Sequence, residues 1–248
     1  MSHPRTPTPL SFAQQLSAAT FWATLHLKRQ LSHRRFWLWA WGLGALLLTL
    51  KGATQIPLPA LAALALFLLM PMICLFFGAG VIRADIDDST LTYPFTRPLG
   101  RRWIFGARFA GALILVWLLV VPMGIICALD DPSYMAPFIA TTLLGGLAYT
   151  SLFALLGVWV KWSTWIGLGW ILLWEQGVSL VPGFLGRLAL VTHLRAVAHQ
   201  PVAGNSPLAA LWEPPSMTLA WSVLLLVPLV AIWLSTRRVH RKAFVIAR

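Results

Sequence analysis

Charged residues interrupt this chain at long intervals, and the uncharged stretches between them predict its architecture. Residues 36–50, 52–82, 109–129, 132–160, 162–174 and 214–236 contain no Asp, Glu, Lys or Arg, and the fifth stretch continues past a single Glu175 as far as Gly186. A helix that crosses the hydrocarbon layer needs about 20 predominantly apolar residues. The pattern therefore predicts an all-α integral membrane protein with six transmembrane helices. These take up most of the chain and leave no room for a separate soluble domain.

The connecting segments differ in kind. Residues 1–10 hold Pro4, Pro7 and Pro9 and predict a disordered start. From Ser11 to Arg34 the spacing turns helical. Phe12, Leu16, Ala19, Ala23, Leu27 and Leu31 form one stripe, and Gln14, Ser17, Thr24 and Lys28 lie largely opposite, although Phe21 and Leu25 break the pattern. A basic-ended amphipathic helix ahead of a spanning segment suits the membrane interface; a short helix packed on the protein's own loops is the alternative. The links near residues 51–57, 130–137 and 161–164 are short. Residues 182–213 are different, because their apolar pieces are too short and too charged to cross. Pro182, Gly183 and Gly186 end the fifth helix, and Pro214–Pro215 precede the sixth. The expectation is a re-entrant external segment, tolerated where it packs against protein or faces water.

Composition agrees with lipid as the solvent. The chain is 58% hydrophobic and 10% charged, against roughly 45–50% apolar and about 25% charged in soluble domains. The net charge of +12 would suit nucleic acid only on a basic folded face with stacking aromatics, which no soluble domain is present to carry. With the N-terminus inside, 16 of the 19 Lys and Arg residues fall in segments on that side, leaving Lys51, Arg187 and Arg195 outside. The positive-inside rule then places both termini on the cytoplasmic side. Residues 1–34 become a cytoplasmic N-terminus, 35–236 the six-helix domain and 237–248 a cytoplasmic basic tail. Trp37, Trp39, Trp103, Trp162 and Trp165 fit an interfacial belt. No cleavable signal peptide is expected, since the first apolar stretch follows a long polar lead.

Catalytic patterns are missing. The sequence has no G-x-x-x-x-G-K-[ST] phosphate loop, no H-E-x-x-H and no G-x-S-x-G. Cys74 and Cys127 lie in separate apolar stretches and read as buried hydrophobes. His193 and His199, six apart on a helix, turn to different faces and suit no shared metal. No catalytic, metal or cofactor residue is expected in this chain.

The connector at 83–102 concentrates polarity. Asp85, Asp87 and Asp88 fall within four positions, bracketed by Arg83, Arg97, Arg101, Arg102 and Arg108. The acidic cluster at a helix N-terminal turn would complement the dipole, with Ser89 and Thr90 as caps and Pro94 and Pro98 as stops. The product would be a short peg able to pass force between a soluble partner and the spans; a solvated, salt-bridged loop is the plainer reading.

The stretch GVIRADIDDSTLTYPFTRPLGRRWIFGARF, residues 80–109, resembles the membrane subunits of ABC-2-type transporters. In that resemblance Asp85 and Asp88 stand at the acidic positions, Thr90 and Leu91 at the Thr-Leu, and Arg97, Pro98 and Arg101 at the closing element, with Ser89 in place of a glycine. The layout is also similar: a flat N-terminal helix, six spans, a coupling connector after the second, and a re-entrant segment before the sixth. The resemblance implies a homodimer or heterodimer of permeases clasped by two ATPase subunits, which would carry the ATP and magnesium. Glu175 is the one acidic residue expected deep in the bilayer, and a functional hypothesis by default. It could contact substrate or a proton, lock a dimer seam, or cap the broken end of helix five. Without the resemblance, a stand-alone channel or secondary transporter using Glu175 is the runner-up, and a membrane enzyme the weakest reading.

Overall fold

The computed structural model describes residues 11–32, 34–53, 57–87, 101–181, 183–200 and 214–241, and among them the chain is helical with no strand. Helix α1 (Phe12–Ser32) precedes α2 (Arg34–Ala53). Helix α3 (Leu58–Ala62) runs through a π-helical stretch, Ala63–Leu69, into α4 (Met70–Asp87). Next come α5 (Arg101–Cys127) and α6 (Met135–Trp159), and then α7 (Ser163–Gly169), which passes into a second π-helical stretch, Trp170–Glu175. The short α8 (Leu190–Val197) and the long α9 (Met217–Arg241) complete the order.

Four of these segments are long and apolar enough to cross a membrane: Leu58–Val81, Arg102–Cys127, Pro132–Trp159 and Met217–Val239. The first apolar stretch gives a shorter helix, Phe36–Gly52. The fifth departs from expectation. Its helix ends at Glu175 rather than continuing towards Gly186, and turns follow at Val178–Leu180 and Gly186–Leu188. Just past that end the Gly177 backbone approaches the Leu173 carbonyl so closely that a side chain would collide with it.

The core is built around α4 and α6, with Phe67, Met70, Phe138, Tyr149 and Phe153 fully buried. Glycines let the two backbones meet. A Cβ at Gly78 would sit 2.8 Å from the Thr150 carbonyl oxygen and 3.1 Å from the Phe153 Cβ, and one at Gly157 would collide with the Ala79 carbonyl. Close approach of this kind is how helices associate where lipid removes the hydrophobic drive between them. Outside the core, Trp165, Leu173, Leu226 and Leu229 are all exposed. Only 22% of the apolar stretch of α9 is buried, against 56% in each of the other three. Water would penalise such a surface; hydrocarbon does not. The chain is a membrane protein.

A second cluster fixes the alternation of the helices. Val81 near the end of α4, Phe105 near the start of α5, Val158 at the end of α6 and Val239 at the end of α9 pack together. Arg238 of α9 lies 5.3 Å over the ring of Trp159, and Arg237 lies 3.8 Å over that of Trp233. The basic residues Arg102, Lys161, Arg237 and Arg238 therefore gather at one end of the bundle. At the other end Lys51 pairs with Asp130 at 3.1 Å and donates to the Ile126 carbonyl at 3.0 Å, capping the C-terminal turn of α5 with a cation. Helix α1 lies mainly on α5, with Ala19 buried and Leu27 and Leu31 against the core, while Phe12, Leu16, Phe21 and Leu25 stay exposed. The C-terminal part of the expected stripe thus meets the bundle, while Phe12 and Leu16 stay exposed along with the two residues that broke the pattern.

If glycine contact sets the α4–α6 spacing, Gly78→Ala should lower the stability of the purified protein by about 1–3 kcal/mol, the ordinary cost of overpacking. Gly42→Ala, where a Cβ meets nothing within 4 Å, should leave it unchanged or slightly raised. Thermal unfolding in detergent compares the two; equal midpoints for Gly78→Ala and the parent would show that the pair is not close-packed there.

Candidate functional site

Among the described residues the interior of the bundle contains one carboxylate, and it is fully engaged. Glu175 is completely buried. Its Oε2 accepts from the Tyr149 hydroxyl at 2.9 Å and the Val191 N–H at 2.8 Å. Its Oε1 accepts from the Trp170 indole N–H at 3.1 Å and the Leu190 N–H at 3.4 Å. Four donors from three parts of the fold thus converge on one side chain.

Each donor arrives for a local reason. Tyr149 lies midway along α6, stacked on Phe153 with centroids 6.0 Å apart. Trp170 is five residues before Glu175, and the i→i+5 winding of the π-helical turn brings residues at that spacing towards one face. Trp170 also stacks on Trp174 at 5.2 Å. Leu190 and Val191 open α8, where the preceding Ala189 has no side chain able to cap. Glu175 supplies the missing cap from a distance, with the negative charge that a helix N-terminus favours. The cap belongs to α8, not to the broken end of the fifth helix near Gly177.

The opposite end of α8 closes on its own backbone. His199 takes φ 55°, its N–H bonds the Ala196 carbonyl, and the Gln200 N–H bonds the Arg195 carbonyl. This is a Schellman turn with histidine in the left-handed position that glycine usually fills. Thr192 donates to the Gly186 carbonyl at 2.7 Å, and the His193 ring Nε2 lies 2.8 Å from the Arg187 carbonyl. A carbonyl can only accept, so Nε2 carries a proton and donates, and burial holds the His193 imidazole below its ordinary pKa. His193 is buried while His199 is exposed, and the two do not share a site. Among the described residues no three His, Cys, Asp or Glu come together as metal ligands. Cys74 and Cys127 are free and buried.

Gln176, next to Glu175, meets a second backbone defect. Pro71 has no N–H to offer the carbonyl four residues earlier, at Phe67. Gln176 Nε2 donates to that carbonyl. The buried Arg195 of α8 lies 5.1 Å over the Phe67 ring, so one short stretch of the α3–α4 segment receives both a donor and a cation. The sequence singled out Glu175 but passed over Tyr149, Gln176 and Arg195. Pro71 was the available signal for Gln176, since an intramembrane proline leaves a carbonyl in search of a donor. The partners of Glu175 had no signal, because they depend on how far α8 folds back.

Only the borders of the connector lie among the described residues. Asp85 and Asp87 lie in the last turn of α4, which runs on from the membrane-length segment, and Arg101 opens α5. The acidic pair is therefore at a helix C-terminus, not at the first turn of a separate helix, and the dipole argument for it is reversed. Asp88, Thr90, Leu91, Arg97 and Pro98 lie outside the described residues. Compared with known proteins, the sequence matches no family model and no curated protein.

Replacing Glu175 tests the convergence. In Glu175→Gln an NH₂ group must face N–H donors on one side, so the loss should be about 1–3 kcal/mol. Glu175→Leu strands every donor and should cost more, with faster proteolysis between residues 183 and 200. Tyr149→Phe should be the mildest of the three. A thermal midpoint for Glu175→Leu equal to that of the parent would remove the carboxylate from its structural role.

Proposed function

We propose that this chain is the permease subunit of an ATP-driven ABC-2-type exporter. In this reading the chain crosses a prokaryotic inner membrane six times with both termini cytoplasmic. The shorter helix Phe36–Gly52 makes the first crossing, and the segment from α7 through the turns after Glu175 makes the fifth. Residues 83–102 form the coupling connector, and 182–213 the external re-entrant segment. Two permease copies, identical or different, enclose the pathway, and two ATPase subunits dock on the basic end and bind the ATP and magnesium.

The observation that carries the reading is the pairing of two features at opposite levels of one helical domain. One is the acidic-to-basic connector between two membrane-length helices, with Asp85, Asp87 and Arg101 at its borders. The other is a short helix preceding the last membrane-length helix, turned back into the bundle and latched by Glu175. The gathering of basic residues at the connector end supports a cytoplasmic location for it. A stand-alone channel or secondary transporter using Glu175 is the alternative; four intrachain donors on the carboxylate speak against it, because a substrate or proton site needs a free lone pair.

Side-specific labelling and partner capture test the proposal together. A cysteine at Ser89 should react only from the cytoplasmic side, and one at Asp130 only from outside. Asp85→Lys with Asp88→Lys, or Leu91→Asp alone, should leave expression and oligomeric state intact, because exposed charges are worth about 0–1 kcal/mol each. The same variants should abolish copurification of a Walker-motif ATPase or uncouple its hydrolysis from transport. External reactivity at Ser89, or normal ATPase binding and stimulation by both variants, would refute the coupling assignment.

A further inference from the structure

Helix α1 and the first turns of α5 enclose an open cavity of about 580 Å³ lined by Phe12, Gln15, Arg102, Trp103 and Gly106. Its chemistry is divided. Arg102 is exposed and makes no ion pair among the described residues, and it sits in the opening turn of α5, where the helix dipole is positive. Phe12 and Trp103 meet edge to face at 5.5 Å and form an aromatic wall. Gly106 lies one turn further along α5, and a Cβ there would meet nothing within 4 Å. Carbon and bare backbone therefore line the cavity on the side leading into the bundle.

The level of the cavity is fixed by α5. Arg102 is the first residue of the membrane-length stretch Arg102–Cys127, so the cavity straddles the boundary between polar and apolar surroundings. The exposed Phe12 and Leu16, one turn apart on α1, extend its apolar side. A ligand that satisfies this arrangement has an anion at one end and hydrocarbon at the other. A free phosphate would need several more donors than Arg102 and Gln15 provide, and would leave Phe12, Trp103 and Gly106 uncovered.

We propose that this cavity seats an anionic phospholipid. The phosphodiester lies on the Arg102 guanidinium and the N-terminal N–H groups of α5, and the first acyl carbons run along Phe12, Trp103 and Gly106. The bound lipid fills the wedge between α1 and α5 and ties the N-terminal helix to the leaflet. This site depends on the membrane setting of the fold and not on any transport role.

Native mass spectrometry of the full chain released from nanodiscs tests the site with phosphatidylglycerol, phosphatidylcholine and inorganic phosphate as probes. Two variants carry the test: Arg102→Gln removes the cation, and Gly106→Leu puts a side chain into the cavity from a position where a Cβ meets nothing within 4 Å. Arg237→Gln, which removes a cation stacked on Trp233 elsewhere at the same end, is the control. The parent should retain phosphatidylglycerol in preference to phosphatidylcholine. Arg102→Gln should weaken that retention roughly fivefold, the equivalent of about 1 kcal/mol per basic residue at an anionic surface. Gly106→Leu should weaken it at least as much, and Arg237→Gln should leave it unchanged. Equal retention of the two lipids, parent-like retention in both variants, or a loss in Arg237→Gln matching that in Arg102→Gln would overturn the proposal. So would displacement of the lipid by millimolar phosphate.

Discussion

Inside an apolar body every backbone polar group needs a partner from the protein itself, and two consecutive residues meet that requirement where this fold is most exposed to it. A short helix turned into the bundle presents unbonded N–H groups, and a proline in a neighbouring segment leaves a carbonyl without its donor. Glu175 takes the first and Gln176 the second. The two demands are opposite in sign, and an acid followed by an amide answers both from one turn of chain.

The consequence is that the segment between α7 and α9 behaves as part of the core. Thr192, His193 and Arg195 are buried on α8, and each has a specific neighbour: a carbonyl of the preceding turn for the first two and the Phe67 ring for the third. Polar residues so placed in water would contribute little, whereas in a low-dielectric interior an unmet donor is costly and a met one fixes geometry. The α4–α6 pair, drawn together by Gly78 and Gly157, supplies the rigid wall that holds Tyr149 and Phe67 in register for these contacts.

The two ends of the bundle are chemically unlike. One gathers arginine and lysine with tryptophan, two of the arginines lying over indole rings; the other closes on a lysine–aspartate pair that caps a helix C-terminus. Cations at helix C-termini and aromatic faces at the headgroup level are both favourable. The end of α4, which holds Asp85 and Asp87, and the start of α5 lie at the basic end.

Charge spacing alone determined that this protein is helical and membrane-embedded, because hydrocarbon tolerates few structures and a long uncharged stretch has few alternatives. It also determined the alternation of the four membrane-length helices and the choice of Glu175 as the residue to explain, since a lone carboxylate in apolar sequence is conspicuous. Tertiary structure decided the rest. Hydropathy is a one-dimensional average, blind to where the fifth helix ends, so the uncharged stretch read as longer than its helix is. Helix α4 running on through Asp87 was equally invisible, because caps and stops inferred from Asp, Ser and Pro compete with the momentum of a helix already formed. The partners of Glu175 were beyond reach for a further reason: they lie 26 residues before it, 5 before it, and 15 and 16 after it. Only the folding back of α8 against α6 places such separations within hydrogen-bond distance of one carboxylate.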